Sequence, residues 1–363
     1  MSAAPQAVET GLSLEAAVRL GLEDYARAQA RAARRYGPDF VALWDIAAQT
    51  MGGGKLVRPL LMAETVAGFA RARSGAAVAP ATVIDAAVAV ELLHYAFVLH
   101  DDVIDGDLMR RGRPNLIGTV AAQHPARHTP AAMHWATTAG ILMGDLALSG
   151  VYQTFARLDV TSQAKERLFT LLDHAITETV AGEFADVGLA DGCLDPELGT
   201  ILAMSANKTA TYSFAWPLRI ASVLAGQGRE VEEALAGAGR HLGLAFQLQD
   251  DVLSTFGDPA RHGKDPNSDL REGKQTALIA FARMTPAWRD IEGLLAQDSI
   301  TDAHADALRA HLEACGARRF VEGLVDESMD AFRAACADPA SPIPPQVRAV
   351  LADAADRLHE RQS

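Results

Sequence analysis

Apolar residues recur along most of this chain at intervals of three and four, a spacing that lays them along one face of an α-helix. Between residues 13 and 36, Leu14, Val18 and Leu22 share a face, while Arg27, Arg31, Arg34 and Arg35 crowd the second half. Pro38 ends this helix or begins the next element. The run Gly52-Gly53-Gly54 breaks the pattern, and Pro59 is placed to open a helix reaching about Arg71. Ala79-Pro80 is the next boundary, after which residues 81–105 form a nearly continuous apolar helix stopped by Gly106.

Residues 106–130, rich in Arg, Gly, Pro and His, predict a long surface loop. Helices follow at about 131–158 and 161–187, then at 197–224 with a kink near Trp216-Pro217, then at 229–256. A second polar loop, 257–275, precedes helices that run to the end, broken near Pro286 and between Pro339 and Pro345. The hydrophobic share is 49%, mostly Ala and Leu, with only 6% aromatic residues and few strand-like runs. No fixed-period repeat and no linker divides the chain. The expectation is an all-α fold in one large helical domain over residues 1–363, with 1–12 as a flexible tail.

A net charge of −13 makes a poor electrostatic footprint for a nucleic-acid backbone. Any acidic substrate must therefore be captured by local basic groups or by metal. Cys193, Cys315 and Cys336 are odd in number and lack CxxC spacing, which argues against a disulfide framework or a zinc site. The N-terminus shows no basic region followed by an apolar core, and no uncharged apolar run reaches the roughly 18 residues that span a bilayer. These features predict a soluble, cytoplasmic protein that does not span a membrane.

The candidate chemistry lies in two aspartate pairs on apolar helical stretches: His100-Asp101-Asp102-Val103-Ile104-Asp105 and Gln247-Leu248-Gln249-Asp250-Asp251-Val252-Leu253-Ser254. Carboxylates are rare in such surroundings unless something neutralises them. Asp101 and Asp105 stand four apart, so on a helix their oxygens share a face, one turn above the other. That placement is repulsive without a cation. Hard divalent ions such as Mg2+ take oxygen ligands, commonly one or two carboxylates plus waters and substrate phosphates. Two such half-sites facing each other would grip a diphosphate.

Further motifs stand in a consistent order around these pairs: Gly53-Gly54-Lys55-Leu56-Val57-Arg58-Pro59, Glu91-Leu92-Leu93-His94, Arg110-Arg111-Gly112-Arg113-Pro114, Asn207-Lys208-Thr209, Gly263-Lys264 and Gly273-Lys274. Over roughly residues 40–280 the chain resembles the trans-isoprenyl (polyprenyl) diphosphate synthases, bacterial geranylgeranyl diphosphate synthases in particular. The resemblance implies a helical bundle with a central substrate cavity. It also implies a Mg2+-dependent prenyltransferase, with several ions per site and Mn2+ as an alternative. The reaction implied is head-to-tail joining of isopentenyl diphosphate to dimethylallyl, geranyl or farnesyl diphosphate with release of diphosphate. A homodimer is expected.

By the same resemblance, Asp101 and Asp105 hold Mg2+ on one side of the allylic diphosphate and Asp250 holds another from the opposite helix, with Asp102 and Asp251 in support. Lys55, Arg58, His94 and Arg111 face isopentenyl diphosphate. Arg110, Lys208 and Lys264 face the allylic diphosphate, Thr209 and Gln247 lie beside the reacting isoprenoid, and Lys274 belongs to a closing loop. The chemistry of the residues agrees: Arg58 and Arg111 can form bidentate phosphate contacts, and Lys55 is a compact point charge. No side chain is an obvious general base, and the departing diphosphate itself can take the final proton.

Ser254 stands where many members carry a third aspartate, and a hydroxyl cannot replace a charged ligand. A terpene cyclase would not need the isopentenyl cations, and a non-catalytic partner subunit would lack the aspartate clusters. Product length is implied by Ala96 and Phe97, one turn before Asp101. One small and one bulky residue favour a C20 product over farnesyl (C15) or longer chains.

Overall fold

The computed structural model describes residues 12–75, 77–257, 270, 273–297 and 300–360. Its residues cluster into two compact units, Met1–Thr170 with Ile220–Gln227 and Leu171–Arg219 with Gly228–Ser363. Helices make up nearly all the regular structure, as the periodicity predicts. The sheet present among the described residues is a pair of two-residue strands.

In the first unit, α1 (Leu14–Ala33) begins at Ser13, whose side chain accepts a hydrogen bond from the Ala16 N–H and satisfies an otherwise orphaned donor. A 3-10 turn at Arg34–Tyr36 and Gly37, with φ 108°, lead into α2 (Pro38–Met51), so Pro38 opens a helix rather than ending one. Next come α3 (Val57–Arg71) and α4 (Pro80–Ile104). The latter is long and apolar enough to cross a membrane, but 72% of its apolar window is buried within the protein. It serves here as a core helix.

Within the stretch predicted as one loop, residues 109–123 are ordered. Met109–Arg110 (β1) and Arg113–Pro114 (β2) pair antiparallel, and α5 (Leu116–Gln123) follows at once. Asn115 explains the helix: its side chain accepts from the Gly118 N–H and donates to the Asp107 carbonyl, while Leu116, Ile117 and Val120 are buried. Three apolar residues on one face are too few to stand out in a window of Arg and Gly. Helix α6 (Pro130–Arg157) packs along α4.

Helix α7 (Ser162–Ala190) enters the second unit at Leu171. There α8 (Leu198–Ser205) passes into a π-helix, Ala206–Ala215, and then into α9 (Trp216–Leu224), whose residues from Ile220 belong to the first unit. The sequence predicts a kink at Trp216-Pro217. Pro217 instead sits in the first turn of α9, and the irregularity falls in the widened turns before it. Helix α10 (Arg229–Phe256) carries Glu230 and Glu232 in its first turn, where acidic groups complement the helix dipole. It packs between the π-helix and α14 (Ala317–Ala337). The core there joins Leu248 and Val252 to Leu278 of α11 (Ala277–Arg283), Leu308 and Leu312 of α13 (Asp302–Ala314), and Val321 of α14. Burying one such side chain contributes about 1.5–3 kcal/mol. Helices α12 (Trp288–Leu295) and α15 (Pro345–Glu360) complete the unit.

Candidate active site

In the first unit the chemistry gathers at the C-terminal end of α4. Its last turns lie close against α6 because Gly144 leaves room for His100. A Cβ there would fall 2.3 Å from His100 Nε2. His100 Nε2 also lies 3.4 Å from Asp145. The Asp105 N–H closes the helix on the Asp101 carbonyl at 2.8 Å, which keeps these two carboxylates one turn apart.

The two-residue hairpin turn aims the next pair of arginines. Arg111 (φ 57°) and Gly112 (φ 71°) both take positive φ, as the tightest two-residue hairpin turns require. Arg110, on β1, turns back onto the aspartates. Its Nε and Nη2 donate to Asp102 Oδ1 at 2.9 and 2.6 Å, and Nη2 also reaches Asp101 Oδ2 at 3.2 Å. The Asp102 side chain is 1% exposed and that of Asp101 26%. Burial pushes the Asp102 carboxyl up, with Arg110 opposing. Burial works to lower the Arg110 pKa, but the surrounding aspartates outweigh it and raise it on balance.

A cavity of about 680 Å3 opens beside this pair. Gly53, Gly54, Glu91, His94, Arg110 and Arg111 line its polar part, and Ile46, Met51, Val98, Leu99 and Leu116 line its apolar part. Glu91 is 3% exposed, and burial raises its pKa while Arg58, Arg111 and Arg19 pull it back. His94 is held well below the usual imidazole range by burial and by Arg58, Arg111 and Arg110, so it is neutral at pH 7. Burial, then Arg110, lowers the Arg111 pKa, against the pull of Glu91. Lys55 is exposed and Arg58 half-buried at the start of α3. Ala96 is fully buried and Phe97 half-buried, and neither lines this cavity.

In the second unit, Lys208 sits in the π-helix between two carboxylates of α7, 2.6 Å from Asp186 and 3.0 Å from Glu183. Thr211 donates to Glu178 Oε2 at 2.6 Å, while Thr209 is half-buried beside Lys208. Gly182 makes this approach possible, since a Cβ there would meet the Lys208 backbone nitrogen at 2.3 Å. On α10, Gln247 Nε2 donates to Asp251 Oδ1 at 2.8 Å. Asp251 is buried and Asp250 half-buried. The Ser254 hydroxyl donates to the Asp251 carbonyl at 3.0 Å, so it is spent on the helix backbone. Lys274 is half-buried just after Gly273, whose φ is 68°. Lys264 lies outside the described residues.

Glu178, Glu183 and Asp186 are absent from the set the sequence singles out, and Glu91 enters it only as the first residue of the motif Glu91-Leu92-Leu93-His94, with no role of its own. The three acids of α7 look like an ordinary solvated face until Lys208 is placed among them. Among the described residues no group of three His, Cys, Asp or Glu side chains is set to enclose a metal. Mg2+ does not ask for one, because one or two carboxylates with substrate phosphates and water complete its shell. In the first unit Asp101 and Asp105 offer hard oxygen donors one turn apart, and in the second Asp250 offers another on α10. Each, taken by itself, has the donor chemistry the ion takes.

Residues 42–312 match the family described as Polyprenyl synthetase. A (2E,6E)-farnesyl diphosphate synthase of Mycobacterium tuberculosis is 34% identical over 271 residues, covering 73% of this chain and 68% of its own length. A geranylfarnesyl diphosphate synthase of Aeropyrum pernix is 31% identical over 69% of this chain and 73% of its own. Among solved structures, a geranylgeranyl pyrophosphate synthase of Corynebacterium glutamicum, complexed with isoprenyl diphosphate and magnesium, superposes with a TM-score of 0.86. It is 29% identical and covers 96% of this chain and all of that one.

Proposed function

The chain belongs to the polyprenyl synthetase family and is a prenyltransferase, and from that premise we propose that it condenses isopentenyl diphosphate head to tail with an allylic diphosphate. The observation that carries this reading is the cavity at the end of α4. Its cationic rim of Arg110 and Arg111 suits a diphosphate, and its apolar wall of Met51, Val98 and Leu99 suits a five-carbon tail. A reaction that consumed the allylic substrate alone would have no use for cations beyond those that meet its own diphosphate.

In this reading Lys55, Arg58 and Arg111 bind the isopentenyl diphosphate, and neutral His94 donates a hydrogen bond to it without adding charge. Arg110, fixed by Asp102, presents its remaining donors to the allylic diphosphate, as do Lys208 and Lys264. Asp101 and Asp105 on one side, and Asp250 on the other helix, are the residues that would hold Mg2+, which when bound would supply Lewis-acid stabilisation of the departing diphosphate oxygens. Asp102 and Asp251 act behind them, Asp102 by orienting Arg110 and Asp251 by engaging Gln247. Thr209 and Gln247 lie beside the isoprenoid. Lys274 helps close the site against water, which would otherwise quench an allylic cation. The released diphosphate takes the final proton.

The product proposed is geranylgeranyl diphosphate, C20. Support comes from the pairing of small Ala96 with bulky Phe97, and from relatives that make products on either side of that length. The whole chain is taken to act as one catalytic domain, in the reducing cytoplasm that its three free cysteines suit. A homodimer is supported by α6, which exposes Trp135, Leu142 and Tyr152 at coiled-coil-like spacing.

The test supplies isopentenyl diphosphate and Mg2+ with dimethylallyl, geranyl or farnesyl diphosphate in turn, and reads product length by chromatography. Condensation with at least one primer, ending mainly at C20, is the expected result. Failure with all three primers overturns the function, and a main product of another length overturns only the C20 assignment.

A further inference from the structure

The loop that carries Lys55 is built from the most permissive residues available. Gly52, Gly53 and Gly54 lose more conformational freedom on folding than any other residues would, so the loop holds one shape only if something outside it does the holding. Its exit is demanding as well, because Leu56 takes a left-handed conformation (φ 52°) immediately before α3 starts. Non-glycine residues rarely sit there without support from their surroundings.

Support for the loop comes from Arg19, in the second turn of α1. Its Nη1 donates to the Gly52 carbonyl at 2.5 Å and its Nη2 to the Gly54 carbonyl at 2.9 Å. The guanidinium thus bridges the two ends of the glycine run with its planar fork. Glu15, one turn earlier on α1, accepts from Arg19 Nε and Nη2 at 3.1 and 2.8 Å, which fixes the orientation of the fork. The other side of the loop lies directly on the cavity. A Cβ on Gly54 would stand 3.3 Å from Arg111 Nη2 and 3.4 Å from Glu91 Oε1. A chain of contacts therefore runs from α1 through the loop backbone to two of the charged side chains that line the pocket. Arg19 is also close enough to act on Glu91 electrostatically.

We propose that Arg19 is a positioning residue for the isopentenyl diphosphate pocket, which it shapes by bridging the Gly52 and Gly54 carbonyls and so placing Lys55 and Arg111 for the diphosphate. It touches no substrate. Lysine cannot do the same work, since an ammonium is a point charge and lacks the rigid fork that reaches two carbonyls at once. The inference rests on the assignment of this pocket to isopentenyl diphosphate.

The experiment compares Arg19→Gln, Arg19→Lys and Lys55→Ala with the unaltered full-length enzyme. The readouts are KM for isopentenyl diphosphate, KM for the allylic primer, kcat and melting temperature. Expected for Arg19→Gln is a rise of about tenfold in KM for isopentenyl diphosphate, the size of a lost charge-assisted contact. The allylic KM and kcat stay within about twofold and the melting temperature is close to that of the parent. Arg19→Lys falls between the two. An unchanged KM in Arg19→Gln overturns the proposal. So does a general loss, in which kcat, both KM values and melting temperature shift together, since that marks a merely structural arginine. If Lys55→Ala leaves the KM for isopentenyl diphosphate unchanged, the assignment of the pocket fails instead, and the inference fails with it.

Discussion

Arg110 grips Asp102 with two donors on a single oxygen, Nε at 2.9 Å and Nη2 at 2.6 Å, and so ties β1 to the last turns of α4. The partners are unequally placed: Asp102 is 1% exposed on its side chain and Arg110 34%. Two neighbouring aspartates thus sit in different surroundings. Asp102 is committed to an arginine inside the fold, whereas Asp101, its side chain 26% exposed, meets the same arginine only through Nη2 at 3.2 Å.

This division predicts a split between stability and activity. Asp102→Ala leaves Arg110 without its main counter-ion and should lower stability by about 3 kcal/mol, the low end for a broken buried pair because Arg110 is partly solvated. Asp101→Ala and Asp250→Ala should leave the melting temperature nearly unchanged while turnover falls by several orders of magnitude, because metal-assisted charge stabilisation supplies most of the acceleration. Thermal melts alongside turnover at saturating Mg2+ check both halves. Near-normal turnover in both Asp101→Ala and Asp250→Ala would falsify the metal assignment.

Gly182 offers a second test, directed at Lys208. A Cβ there would lie 2.3 Å from the Lys208 nitrogen and 2.6 Å from its Cα, and backbone cannot rotate aside as a side-chain tip can. Gly182→Ala should therefore push the π-helix away from α7 and loosen the Lys208 contacts to Glu183 and Asp186. A shift near 1 Å in a positioning group costs about a hundredfold in rate. The expected outcome is a fall in kcat of that order, with stability reduced by about 1–3 kcal/mol from overpacking. Parental kcat in a folded Gly182→Ala enzyme contradicts the positioning of Lys208.

His94 predicts a pH dependence of stability. Burial and three arginines hold its pKa below the ordinary 6.5 in the folded state. Between the folded value and 6.5, the unfolded chain binds a proton that the folded chain does not. Stability therefore rises with pH across that window and is lost as pH falls through it. The melting temperature of the parent should drop between about pH 7.5 and about pH 5.5 more steeply than that of His94→Gln, which has nothing to titrate. Parallel slopes would remove the case for a neutral His94.

How far the sequence reveals the site depends on what each residue leans on. The α4 acids and the helices around them are legible because a 3.6-residue period and a DDxxD spacing are local patterns. The hairpin at Met109–Pro114 is not, since its signal is the dipeptide Arg111-Gly112 inside a polar run, and only the observed φ values of 57° and 71° reveal the turn. The π-helix is hidden for a different reason. Nothing in Ala206–Ala215 forbids an ordinary helix, and the widened turns coincide with close backbone approaches to Gly182 and Gly243 from other helices. The carboxylates that hold Lys208 and the arginine that holds the glycine loop are likewise set by tertiary placement, which no spacing along the chain records.

Product length offers the last test, because it joins the geometry of α4 to the reaction. Phe97 precedes Asp101 by four residues, one helical turn or about 6 Å, so both share a face. Ala96 is turned into the packed interior at 0% exposure, whereas Phe97 is half-buried. If the growing chain runs along the face of Phe97, Phe97→Ala opens space for another isoprene unit and should lengthen the major product by at least five carbons. Ala96→Phe should shorten it, but through a different cause: the ring has no room where Ala96 sits, so it must displace its neighbours toward the product at a cost of about 1–3 kcal/mol. The two variants therefore differ in what else must be measured. Phe97→Ala can be judged on product chromatography alone, while Ala96→Phe counts only where a thermal melt shows a folded enzyme. An unchanged product distribution in both places the chain-length floor on another helix and removes the support that Ala96 and Phe97 give to a C20 product.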